Sequence, residues 1–128
     1  MTVVLAHAPA DSAEAAFEAA VRQAALQEWE LVIANAVSND APADTHAVDG
    51  AALRDLAERA RGEGVRARPV HLTDSDAAAA LLDLTEDVEA NLLVIGVRRR
   101  SAVGKLLMGS TAQRLILEAR CPVLAVKS

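Results

Sequence analysis

The sequence predicts an open α/β sheet of five parallel strands with helices on both faces. Three observations point there. Five short apolar runs alternate with four segments whose apolar residues recur at helical spacing. Each intervening segment is long enough to return the chain for a right-handed parallel crossover. Finally, 52% of the 128 residues are hydrophobic but only 2% are aromatic, so the core is built from Ala, Val, Leu and Ile. Such small side chains let helices lie close against a sheet. This length suits one core, and one domain is expected over 1–128.

Val3-Val4-Leu5-Ala6 has the continuous apolar character of a strand buried on both faces. Pro9 stops it, and Asp11 or Ser12 is expected to cap the next helix, with Glu14 completing a capping box from Asp11. Phe17, Val21, Ala24 and Ala25 mark that helix over 12–27. A second strand is expected over 29–37 around Leu31-Val32-Ile33-Ala34, and a turn-rich surface loop over 38–48. Leu53, Leu56, Ala57 and Ala60 mark a second helix, closed by Gly62 and Gly64. Strand three, 65–72, carries Arg66, Arg68 and Pro69, which suit a sheet edge better than its centre.

Ala78, Leu81, Leu82, Thr85 and Val88 mark helix three, with Thr73, Asp74 or Ser75 as its cap. Strand four covers 91–95. Helix four is marked by Ala112, Leu115, Ile116 and Ala119 and capped by Ser110, and strand five covers 121–126.

Charge and composition narrow the function classes. A formal net charge of −5 and a pI near 5.1 argue against a general nucleic-acid binder. The single cysteine, Cys121, cannot form an intramolecular disulfide, suits a reducing compartment, and is expected to be a packing residue. His7, His46 and His71 lack metal-ligand spacing, so no metal is expected. No Ser-His-Asp or Cys-His arrangement is legible, and no catalytic residue is assigned. The first apolar run is short, lacks a basic leader and runs into Pro9-Ala10-Asp11, so neither a signal peptide nor a membrane span is expected. A cytoplasmic location follows as the expectation.

The most informative stretch is the basic segment from Gly96 to Thr111, which holds Arg98, Arg99, Arg100 and Lys105 between a buried strand and a helix. A helix start offers unpaired N–H groups and the positive end of a dipole, a natural place for phosphate. The same residues also serve simpler roles. The arginines form a solvated loop offsetting nearby acids, and a Gly-Ser-Thr helix start contributes about 1 kcal/mol by capping alone.

These features together resemble the universal stress protein family over essentially the whole chain. The resemblance rests on the strand–helix alternation, on Leu92-Leu93-Val94-Ile95-Gly96 leading to Leu106-Leu107-Met108-Gly109-Ser110-Thr111, and on the ending Cys121-Pro122-Val123-Leu124-Ala125-Val126. It implies a Rossmann-like sheet, of the adenine nucleotide alpha hydrolase type, in the order 3-2-1-4-5. A crevice would then lie at the switch point between strands one and four, with His7-Ala8-Pro9 facing the Gly96 loop.

For the nucleotide-binding branch, the resemblance implies a loop of Gly, two residues, Gly, nine residues, Gly, then Ser or Thr. Gly96 and Gly109-Ser110 match, whereas Arg99 stands at the second glycine. A side chain there would either block the close backbone approach to phosphate or replace backbone donors with a guanidinium fork. Ala8 aligns where ATP-binding members carry an Asp, and it offers only its backbone. ATP or AMP is the implied ligand. Gly96, Arg98, Arg99, Gly109, Ser110 and Thr111 would meet its phosphates, with Ala36 and Ile95 flanking the base and Ala8 elsewhere along the nucleotide.

The resemblance also implies a homodimer through strand five. Val123-Leu124-Ala125-Val126 would be an edge without a gatekeeping charge before Lys127, and such an edge invites another chain. The expected function is therefore a non-enzymatic, homodimeric stress-response protein with a nucleotide-type crevice and protein partners, binding neither nucleic acid nor membrane. Two alternatives stand beside it: an ATP-hydrolysing or nucleotidyl-transferring enzyme on the same fold, and a member that binds no nucleotide and acts only through protein partners.

Overall fold

A computed structural model describes residues 1–8, 12–35, 43–97 and 109–127, with 43–49 described by backbone alone. Within them the chain runs β1 (Thr2–His7), α1 (Ala13–Gln27), β2 (Glu30–Asn35), α2 (Ala43–Gly62), β3 (Ala67–Val70), α3 (Ala77–Asp87), β4 (Leu92–Val97), α4 (Ser110–Glu118) and β5 (Val123–Lys127). All four strand pairings are parallel, in the order β3-β2-β1-β4-β5. The expected architecture, strand order and edge position of β3 are therefore observed.

Strand alternation divides the core in two. Val3, Leu5, Leu31, Ile33 and Val94 face α1 and α2, meeting Phe17, Ala20, Val21, Leu53 and Ala57. Their neighbours Val4, Ala6, Val32, Ala34, Leu93 and Ile95 face α3 and α4, meeting Leu81, Leu84 and Leu115. Alanines dominate the helix contact stripes, as the near-absence of aromatic residues requires. Each fully buried Val, Leu or Ile contributes about 1.5–3 kcal/mol, and this burial holds the sheet together.

Helices α1, α2 and α3 end in the same way. Trp29 N–H donates to Ala24 C=O, Val65 to Ala60 and Ala90 to Thr85, while Glu28, Gly64 and Glu89 bond one turn back to Ala25, Arg61 and Glu86. This paired pattern is the Schellman motif, and the residue at its corner takes a left-handed conformation. Gly64 does so at φ 86, but Glu28 and Glu89 do so as non-glycines, at φ 58 and 52.

Several boundaries differ from expectation. Helix α2 starts at Ala43, inside the stretch expected to be a loop. From there to Gly62 no proline interrupts it. The cap of α3 is Asp76 rather than Thr73, Asp74 or Ser75: its Oδ1 accepts from Ala79 N–H at 3.1 Å. Asp74 instead accepts from Asp76 N–H at 2.8 Å, forming the turn that precedes the cap. On α4, Gly109 is the cap and Ser110 the first helical residue. Ile116, expected in the apolar stripe, is exposed, and Leu115 alone on that helix is fully buried.

The two sheet edges are unlike. Leu31 N–H donates to Arg66 C=O at 2.8 Å, so the parallel ladder turns 66, 68 and 70 toward β2 and leaves 67 and 69 facing outward. Both outward positions are blocked: Arg61 Nε donates to Ala67 C=O at 2.9 Å, and Pro69 has no N–H. On the other side Leu93 N–H donates to Pro122 C=O at 2.9 Å, which leaves Val123, Ala125 and Lys127 facing outward from β5 with no proline among them.

Candidate functional site

The strand order reverses between β1 and β4: β1 leads outward to β2 and β3, and β4 to β5. Open α/β sheets form a crevice at the carboxyl ends of such a strand pair. Around it stand His7 and Ala8 ending β1, Asn35 ending β2, Gly96 and Val97 in β4, Ser12 opening α1 and Gly109 opening α4.

Gly96 was expected to open the loop but lies within β4, paired with Val126. Its need for glycine comes from the first turn of α1. A Cβ at 96 would lie 2.5 Å from Ser12 Oγ, 3.1 Å from Ser12 Cβ and 3.3 Å from Ser12 C=O. Ser12, only 4% exposed, is the N-cap of α1 by position yet makes no side-chain capping bond. Glu14, expected to complete the capping box from Asp11, receives both Nη groups of Arg59 at 3.0 and 2.7 Å, and Arg59 lies 4.5 Å from the centre of the Phe17 ring. That bond holds the Glu14 carboxyl below its ordinary range. Asp11, the other expected member, lies outside the described residues.

Gly109 presents a contrast. A Cβ there would meet nothing within 4 Å among the described residues. The residue is exposed and extended, at φ −67 and ψ 163, and the first bond of α4 runs from Gln113 N–H to Gly109 C=O at 3.1 Å. The N–H groups of Ser110, Thr111 and Ala112 therefore have no acceptor within the helix. These unpaired donors and the positive end of the helix dipole suit a phosphate.

The sequence-predicted residues are distributed as follows. Gly96 and Ile95 lie on β4, Ala8 follows β1, and Gly109, Ser110 and Thr111 open α4, whose start lies at the carboxyl end of the sheet. Ile95 is buried beneath α3 and α4, with its backbone paired to Ala6 and Ala125. Ala36, Arg98 and Arg99, with Arg100 and Lys105, lie outside the described residues.

Two contacts near the crevice were not legible beforehand. Buried Asn35 accepts from Leu72 N–H at 2.6 Å and donates to Leu72 C=O at 2.8 Å, prolonging the β2–β3 ladder by one side-chain rung. A polar residue ending an apolar run was the available signal, but its partner 37 positions away was not. Arg114, one turn into α4, donates to both carboxylate oxygens of Asp76 at 2.9 and 2.7 Å, tying the start of α4 to the cap of α3. The Arg114 bond lowers the Asp76 carboxyl below its ordinary value.

Cys121 packs beside the α3/α4 core, and burial pushes its thiol up, away from thiolate chemistry. Among the described residues no three His, Cys, Asp or Glu side chains gather to hold a metal ion, and no helix is long and apolar enough to cross a membrane.

Comparison with known proteins agrees with this frame. The model of the universal stress protein family matches residues 1–127. A universal stress protein of Mycolicibacterium smegmatis is 36% identical over 125 residues, covering 98% of this chain and 96% of that protein. The structure of a universal stress protein from Archaeoglobus fulgidus is similar at a TM-score of 0.83 and 26% identity, covering 98% of this chain and 97% of that one. A universal stress protein solved in complex with cAMP is similar at a TM-score of 0.70 and 30% identity, covering 99% and 96% respectively. With the family match spanning the fold and the crevice alike, the chain belongs to the universal stress protein family.

Proposed function

We propose that this protein is a homodimeric, nucleotide-responsive regulator in the stress response, with an adenine nucleotide such as ATP or AMP in the crevice between β1 and β4. The observation that carries this reading is the start of α4. A side chain at Gly109 would meet none of the described residues within 4 Å, and three N–H groups follow it with no helical acceptor. Phosphates would rest on Gly109, Ser110 and Thr111, with Gly96, Arg98 and Arg99 approaching from the loop, Ala36 and Ile95 flanking the base and Ala8 elsewhere along the nucleotide. The relative solved with cAMP supports the choice of nucleotide class.

Regulation rather than turnover is favoured by the segment from Val97 to Met108, which contains no carboxylate to hold a metal or position a nucleophile. A bound nucleotide would act by favouring one arrangement of the crevice, and with it one partner affinity. Dimerisation through β5 is supported by the contrast between edges: β3 is blocked at both outward positions, whereas Val123, Leu124, Ala125 and Val126 form an apolar strand with an open edge. Leu117 on α4, 82% exposed, is a further apolar side chain open to solvent.

A second reading, protein–protein function with no nucleotide, is favoured by Ala8, which offers no side-chain polar atom at the crevice. One experiment separates the two: denature the purified protein, analyse what nucleotide is released, and measure thermal stability with millimolar ATP and AMP. Released nucleotide, or a rise in Tm that Ser110→Pro diminishes by removing an N–H, supports nucleotide binding. No release and no stabilisation leaves protein–protein function as the reading.

A further inference from the structure

A shallow, open cleft of about 510 Å³, lined by charged side chains, lies at the opposite end of the sheet, where the chain leaves α2 and enters β3. Gly64 makes this turn possible at φ 86, and it brings Arg61 from the last turn of α2 to the same opening as Arg66 and Arg68. Glu30 is the one acidic residue in the lining, so the cleft carries a net charge of about +2 on a chain of net charge −5.

Two of the guanidiniums are held in place by their Nε atoms. Arg61 Nε donates to Ala67 C=O at 2.9 Å and Arg68 Nε to Glu30 Oε1 at 3.0 Å. Their Nη groups, and the whole Arg66 guanidinium, have no protein acceptor among the described residues. Three like charges around one opening repel unless an anion offsets them. Guanidinium forks match the spacing of phosphate and carboxylate oxygens.

We propose that this cleft binds a small polyanion, a molecule bearing two or more phosphate or carboxylate groups. An added β-strand does not fit here, because Ala67 C=O is already engaged and Pro69 has no N–H. A nucleic acid does not fit either, since the lining has no aromatic residue to stack on a base and the chain is acidic overall. Glu30 acts as a built-in competitor: it occupies Arg68, and the incoming anion displaces it.

The test is a titration of the full chain with inorganic pyrophosphate, and separately with citrate, followed by amide NMR. Saturable shifts at Gly64, Val65 and Ala67 are expected. Arg66→Ala should weaken binding about tenfold, the loss of one charge-assisted contact. Glu30→Gln should strengthen it several-fold. Neither side chain is in the core, so both variants are expected to fold. Preference for pyrophosphate marks the natural ligand as a phosphate ester, and preference for citrate marks it as a polycarboxylate. Shifts that do not saturate, shifts confined to Gly109, Ser110 and Thr111, an unchanged affinity in Arg66→Ala, or no gain in Glu30→Gln would overturn the proposal. Because the two sites lie at opposite ends of the sheet, an empty nucleotide crevice leaves this outcome readable.

Discussion

Gly96 and Ser12 are packed so closely that a methyl group at 96 would lie 2.5 Å from Ser12 Oγ. This contact seats the first turn of α1 against β4 beside the crevice. Gly96→Ala should therefore destabilise the protein by about 1–3 kcal/mol, the usual effect of overpacking a tight interface. In a Ser12→Ala background the same change should cost less, because the nearest atom is gone. Chemical denaturation of the four proteins in the cycle checks this, and equal costs in both backgrounds would refute the contact as the cause.

Glu28 and Glu89 occupy the left-handed corners of two Schellman motifs, at φ 58 and 52. A non-glycine residue there costs roughly 1–2 kcal/mol, part of which glycine returns through greater freedom in the unfolded chain. Glu28→Gly and Glu89→Gly should each stabilise by about 0.5–1 kcal/mol. The two helix ends are separate, so the effects should add, raising Tm by roughly 3–8 °C together. Thermal melts of the single and double variants decide this. A fall in Tm in either single variant would mean the Glu side chain contributes more than its backbone costs.

Asp76 accepts from Arg114 and from the start of α3, and its carboxyl is held below the ordinary value of 3.8. A carboxylate whose pKa is lowered by folding adds stability above its unfolded value, and this is lost as pH falls through the folded value. Wild-type protein should thus lose stability more steeply than Asp76→Asn as pH falls below the ordinary carboxylate value of 3.8. Asn retains the capping role, so the comparison isolates the charge. Parallel acid limbs for the two proteins, measured by denaturation across that range, would contradict the assignment.

Ala125 faces outward from β5, in the position that Pro69 holds on β3. Ala125→Pro removes one outward N–H while leaving the bonds toward β4 in place. If two copies join through these edges, sedimentation should show a wild-type dimer and a variant monomer at micromolar concentration. A variant that still dimerises would place the interface elsewhere.

The expected edge character of β3 was legible because Arg66, Arg68 and Pro69 are local signals of incompatibility with a central strand. The start of α4 was legible as Gly109-Ser110-Thr111, although the cap proved to be Gly109 rather than Ser110. Caps elsewhere were less readable. Asp74, Ser75 and Asp76 all suit the role, and only Arg114, 38 positions on, favours Asp76. The close packing of Gly96 on Ser12 was not legible for the same cause. A glycine before a basic loop suggests phosphate approach, while the atoms that require it belong to Ser12.

The amino-acid sequence alone determined the α/β alternation, the apolar core without aromatics, the family and the helix start that suits a phosphate. The alternation, the core and the helix start follow from periodicity and residue chemistry over a few consecutive positions, and the family from the resemblance of its motifs. The fold decided what depends on contact between distant segments: the Ser12–Gly96 packing, the Asn35–Leu72 rung, the Asp76–Arg114 tie and the cleft shared by Arg61, Arg66 and Arg68. Each joins groups whose pairing is set by sheet order and helix placement, and local pattern carries no record of such pairings.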